Sequence, residues 1–154
     1  MQKVIINKCF GGYGFEPFTI QKYAEAKGVK LIWYTRDHKY DARYPKEKWV
    51  KTNIEEIERE EGLRMENLPL VDDMGDSFIF DLSGDMFQRL VYQLPQDHES
   101  RTDPILIEII ERYGDMNRHG CHAPTVIEVP DGVEWIIYEY DGLESLHEAH
   151  RVFG

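Results

Sequence analysis

Val4-Ile5-Ile6-Asn7-Lys8-Cys9-Phe10-Gly11-Gly12-Tyr13-Gly14-Phe15-Glu16-Pro17 is the stretch from which the fold is read. Its first half is a nearly continuous apolar run, which predicts a buried strand over residues 3–10 that ends at the glycines. Cys9 falls inside that strand and is expected as a small core residue rather than a reactive thiol. Pro17 stands where a helix begins, ahead of Phe18, Ile20, Tyr23 and Ala24, because the N–H it lacks is unused in a first turn. Gly28 supplies the stop, and residues 29–35 (VKLIWYT) read as a second strand. Strand, helix and strand of these lengths fit a right-handed crossover that sets the two strands parallel, with or without another strand between them. The junction at the glycines also offers backbone N–H groups, a helix N-terminus and a lysine to an anion.

Outward from there, residues 36–53 are polar, aromatic and basic, which predicts an exposed excursion or hairpin. Residues 54–61 form a short helix of glutamates around Ile54 and Ile57, residues 63–75 are irregular, and residues 77–82 (SFIFDL) are a strand. Residues 87–94 (FQRLVYQL) suit helix or strand, and periodicity alone does not decide. The clearest helix starts at Thr102 or Asp103, with Pro104 in its first turn, an apolar stripe of Ile105, Leu106, Ile109, Ile110 and Tyr113, and an end near Gly114. Residues 125–129 and 133–140 are strands joined by a Pro130-Asp131-Gly132 hairpin turn, and residues 143–152 follow Asp141-Gly142 as a last helix. The sum is one α+β domain over residues 1–154, a mixed sheet of about five or six strands with about four helices.

The chain's 154 residues suffice for a core without disulfides or metal, and no apolar run approaches a membrane span. Without a signal-peptide layout, a soluble cytoplasmic protein is expected, and two cysteines make no disulfide scaffold. The net charge of −11 is unevenly spread. Residues 1–51 hold eleven Lys and Arg against five Asp and Glu, a balance of +6. Residues 52–154 hold seven Arg, no Lys and twenty-four Asp and Glu, a balance of −17. The basic block can attract an anion, while the acidic remainder disfavours nucleic acid and suits a solvated surface or a mimic of nucleic acid.

Several residue sets invite chemistry. Lys8, Gly11, Gly12 and Gly14 have the makings of a phosphate cradle and equally of a plain tight turn. The spacing matches neither the dinucleotide fingerprint nor a nucleoside triphosphate loop. Tyr13, Trp33, Tyr34, Arg36, Tyr40, Arg43, Tyr44 and Trp49 combine stacking faces with cations, the pairing a nucleobase and its phosphates need, or else they are core and interface. Arg101 and Arg118 flank the central helix and extend that set. The histidines fall in Arg118-His119-Gly120-Cys121-His122 and, on the expected last helix, at His147 and His150 on one face with Glu144. None of the familiar zinc patterns is present, no catalytic group is assigned, and no metal or cofactor is expected.

The opening VIINKCFGGYGF, with its helix, and the close IEVPDGVEWIIYEYDGLESLHEAHRVF, preceded by Arg101-x-Asp103-Pro104, resemble the two ends of a small protein family spread through tailed-phage and prophage genomes. The match covers about the first thirty and last fifty-five residues, and Glu16-Pro17 stands where the family commonly has a helix-capping Ser. The family has no assigned activity, so the resemblance implies a phage origin and a role in host takeover or evasion of host defence. The expected function is a non-catalytic, homo-oligomeric binding protein that sequesters a nucleotide-like anion. In that scheme Lys8 and the glycine N–H groups take phosphate, Tyr13 or Trp33 stacks, and Arg36 or Arg43 clamps. The alternatives are an acidic inhibitor of a host nucleic-acid-binding protein, acting through residues 55–61, and a small nucleotide-processing enzyme using the Glu/His face of the last helix.

Overall fold

Short elements joined by polar turns build an α+β fold. In chain order they are β1 (Gln2–Asn7), α1 (Pro17–Ala26), β2 (Ile32–Arg36), β3 (Lys46–Thr52), α2 (Ile54–Arg59), β4 (Asn67–Leu70) and β5 (Ser77–Asp81). After them come α3 (Met86–Leu90), α4 (Asp97–Ser100), α5 (Pro104–Tyr113), β6 (Pro124–Val129), β7 (Trp135–Tyr140) and β8 (Leu143–Glu148). The computed structural model describes residues 1–10, 12–39, 45–59, 66–114 and 123–149, without the side chains of Met86 and Phe87. The chain divides into two compact units, Met1–Tyr23 with Pro95–Gly154, and Ala24–Leu94.

In the first unit β1 pairs antiparallel with β6, Val4 opposite Ile127 and Ile6 opposite Thr125. The hairpin β7–β8 packs its inner face on that pair, closing a core of Val4, Ile6 and Val129 with Ile127, Trp135, Ile137 and Leu146. α5 forms as its sequence dictates. The Asp103 carboxylate accepts from the N–H groups of Ile105 (2.8 Å) and Leu106 (3.2 Å), Pro104 fills the first turn, and Leu106, Ile107, Ile109 and Ile110 are buried. Phe18 of α1 stacks edge-on against Tyr113, with ring centres 5.1 Å apart, and the Tyr23 hydroxyl donates to Asp103.

The second unit is an antiparallel sheet in the order β4-β2-β3-β5. One face carries Tyr34, Trp49, Leu68, Leu70 and Phe80 into a core that Met74, Phe78, Leu90 and Val91 help to cover. The Gly28 stop of α1 is a Schellman motif: Gly28 has φ +72°, and the N–H groups of Gly28 and Val29 reach back to the carbonyls of Glu25 and Ala24.

The structure departs from several sequence expectations. β1 and β2 are not parallel strands of one sheet, since β1 is built with β6 and β2 with β3 and β4, and every strand pairing among the described residues is antiparallel. The fold has eight strands and five helices among the described residues, more than the five or six strands and four helices expected. Residues 67–70, expected as irregular, form the edge strand β4; Pro69 conceals it, and an edge is where a sheet tolerates proline. The turn at 130–132 forms, with Gly132 at φ +79°, but it passes the chain between sheets instead of closing a hairpin. The expected last helix is instead strand β8 in its described part. Asp141 (φ +51°) and Gly142 (φ +89°) make a two-residue primed turn that returns β8 along β7. Leu143 and Leu146, three apart, imitate a helical period, and the inward position between them is a glutamate, so the alternation of a strand is disguised. Among the described residues no helix is long and apolar enough to cross a membrane.

Candidate functional site

The end of β1 and the loop after it are held by buried polar groups. On one edge β1 has β6. On the other it has no strand among the described residues, and Arg101 and Glu144 take that place. The Ile5 N–H donates to the Arg101 carbonyl at 2.9 Å, the Arg101 guanidinium donates to the Ile5 carbonyl at 3.0 Å, and the Asn7 N–H donates to Glu144 Oε1 at 2.8 Å. Arg101 and Glu144 lock to each other through two bonds of 2.9 and 2.8 Å, and Asp97 stands 3.1 Å from the same guanidinium. Their side chains are only 7% and 6% exposed. Burial works against the charge on Arg101, but the bonds it donates to Glu144 together with the nearby charges of Glu144 and Asp97 outweigh it and raise the guanidinium's pKa above its ordinary value. An ion pair thus does for β1 what a neighbouring strand does elsewhere.

The loop after β1 is tied to the same network. The Asn7 side chain donates to the carbonyls of Cys9 and Gly142 and accepts from the Ala123 N–H. Gly142 lies so close that a Cβ there would fall inside contact distance of the Phe10 carbonyl and the Gly12 nitrogen. Tyr13 lies flat over Arg101, the guanidinium carbon 3.8 Å from the ring centre. Its hydroxyl meets Ser100 Oγ at 2.7 Å; because Ser100 donates to the Asp97 carbonyl, Tyr13 donates to Ser100. Burial pushes the Tyr13 phenol up to about 12. Facing outward from this base are Lys8, exposed and in no side-chain ion pair among the described residues, and Phe10, 61% exposed.

Of the ten residues singled out in the sequence, Lys8, Gly12, Tyr13, Gly14 and Arg101 belong to this unit, and Trp33 and Arg36 to the other. Gly11, Arg43 and Arg118 lie outside the described residues, as do Tyr40, Tyr44, His119, Cys121, His122 and His150. Tyr13 and Arg101 are brought together, but against each other. Trp33 and Trp49 are buried in their sheet. Arg36 is held by Glu66 at 3.1 Å and Glu47 at 3.4 Å. Glu144 and His147 do not share a face, because in strand β8 positions an odd number apart point opposite ways: Glu144 inward to Arg101, His147 outward to Tyr138. The acid–base pair drawn on a helix is therefore not formed. Cys9 is half-buried.

Two features escaped the sequence. Phe10, expected inside the strand, follows its end and presents its ring to solvent. The outer face of β7–β8 carries Ile136, Tyr138 and Tyr140 opposite His147, Ser145 and Leu143. Tyr138 and Tyr140 are 54% and 78% exposed. The alternation through Trp135-Ile136-Ile137-Tyr138 is apolar on both faces, which was the available signal that this hairpin needs covering on both sides. Comparison with protein-family models, curated proteins and solved structures finds no match.

Proposed function

We propose that this chain is a non-catalytic binding protein of phage origin, at work in the host cytoplasm, that holds a small nucleotide-like anion at the loop following β1. The observation that carries this reading is the pairing of exposed Lys8 and exposed Phe10 on a backbone fixed by Asn7, Gly142 and Arg101. A loop already held in place loses little entropy on binding, so a cation and a ring set on it contribute more than the same groups on a mobile segment. Lys8 meets the phosphate and Phe10 stacks on the base, the part first assigned to Tyr13. Arg101 and Tyr13 act as the scaffold beneath. The ends of the sequence, similar to those of a phage family, fit capture of a host signalling nucleotide and so evasion of host defence.

A thermal-shift panel of mono-, di- and cyclic nucleotides, with mass spectrometry of what heating releases, tests this. At a hundredfold excess over Kd a bound ligand adds about 2.7 kcal/mol. One nucleotide should shift the melting point and be recovered intact, and Lys8→Ala and Phe10→Ala should each lower affinity at least about tenfold with unchanged circular dichroism. No shift with any of them rejects the reading, and recovery of an altered nucleotide makes the protein an enzyme.

A further inference from the structure

The outer face of β7–β8 asks for an occupant. Ile136, Tyr138 and Tyr140 line it, His147 packs edge-on against Tyr138 at 4.7 Å, and Ser145 bonds His147 at 2.9 Å. The hairpin pairs with no third strand among the described residues. Its charges are of one sign. Residues 123–149 contain no Lys or Arg; Glu134 and Asp141 are exposed at the two ends of this face, while Glu139 and Glu148, paired with Glu144 and Trp135, belong to the other. Exposed aromatic side chains in a row with a carboxylate at either end are the arrangement of a protein-docking surface with a charged border. That border also selects the occupant. Nucleic acid and anionic lipid headgroups are repelled, and a second copy of the chain would bring the same carboxylates face to face.

We propose that this face docks a cationic protein surface, one in which Arg or Lys side chains surround apolar residues that pack on Tyr138 and Tyr140. The site is separate from the loop after β1, so it stands whether or not that loop takes a nucleotide. It also differs from the acidic stretch at 55–61 that the sequence suggested. Residues 60 and 61 lie outside the described residues, and Glu56 already pairs with Arg59 at 3.0 Å.

The test uses fluorescence anisotropy of the full chain with two labelled peptides of equal charge. One alternates Arg with Leu, and the other alternates Lys with Gly. The first should bind at least about tenfold tighter. Tyr138→Ser with Tyr140→Ser should remove that preference, and Glu134→Lys with Asp141→Lys should weaken both peptides and flatten their salt dependence. The control Glu55→Lys with Asp72→Lys, two equal charge reversals elsewhere, should leave the preference intact. Circular dichroism confirms that each variant is folded. Equal binding of the two peptides, binding lost only in the control, or no binding overturns the proposal. So does a dimer in sedimentation equilibrium that Tyr138→Ser with Tyr140→Ser dissolves, because the occupant is then a second copy.

Discussion

The two units use charge in opposite ways. In Ala24–Leu94 the interior is Tyr34, Trp49, Leu68, Leu70 and Phe80, and the ion pairs stand at its margin: Lys51 with Asp73 at 2.8 Å, Arg36 with Glu66 at 3.1 Å. In the first unit a comparable pair, Arg101 with Glu144, is carried inside to complete the open edge of a strand. Marginal pairs exchange water for each other at nearly no net gain, whereas a buried pair has forfeited its water and depends on its partner. The sheet of the second unit has four strands to satisfy its backbone; β1 has one, so side chains must finish the work. Strand number thus decides where the fold can leave its charges.

The largest test of that contrast is Arg101→Ala. It strands Glu144 in the interior and leaves the Ile5 carbonyl without its guanidinium donor, and should cost about 3–5 kcal/mol in urea denaturation, with loss of the fixed loop. Arg36→Ala in the other unit should cost no more than about 1 kcal/mol. Equal costs would erase the difference between the units.

Gly142→Ala comes next. The residue has φ +89° and its Cβ would meet the backbone of Phe10 and Gly12, so strain adds to a collision that neither side can relieve by rotating a side chain. About 2 kcal/mol or more should be lost. Asp141→Gly at the neighbouring turn position, φ +51°, should be nearly neutral by the same measurement.

Tyr13 gives a smaller and pH-dependent effect. Its pKa is raised from 10 to about 12, so the folded state keeps the phenolic proton after the unfolded chain has released it. The contribution is complete below pH 10 and is lost as pH rises through about 12. Stability measured from pH 9 to 12 should fall by on the order of 2 kcal/mol less in Tyr13→Phe than in the parent chain. Asp73 should give the smallest change. The Lys51 ammonium, followed by the Gly75 N–H, holds its carboxyl below the ordinary value. Its contribution is present above the ordinary carboxylate pKa and fades as pH falls through the lowered one, so Asp73→Asn should shift the acid-unfolding midpoint only slightly.

What could be read from the sequence follows the same division. α1 and α5 were legible because Pro17, Gly28, Asp103 and Pro104 act within a turn of where they stand. β8 was not, because the residue that makes Glu144 an inward position is Arg101, 43 residues away. Of the candidate site, Lys8, Tyr13 and Arg101 stand out in the sequence by residue type, and Phe10 does not. The roles of the three do not stand out either, since an arginine that clamps phosphate and an arginine that closes a strand edge look alike until the distance to Glu144 is known.

The most direct measurement is a double-mutant cycle on Arg101→Ala and Glu144→Ala by urea denaturation. If the pair completes β1, the two changes should be strongly non-additive, with a coupling of about 2–3 kcal/mol, so that the double variant costs clearly less than the sum of the two single ones. Additivity within about 0.5 kcal/mol would mean that the two side chains act independently and that β1 does not rely on their pairing.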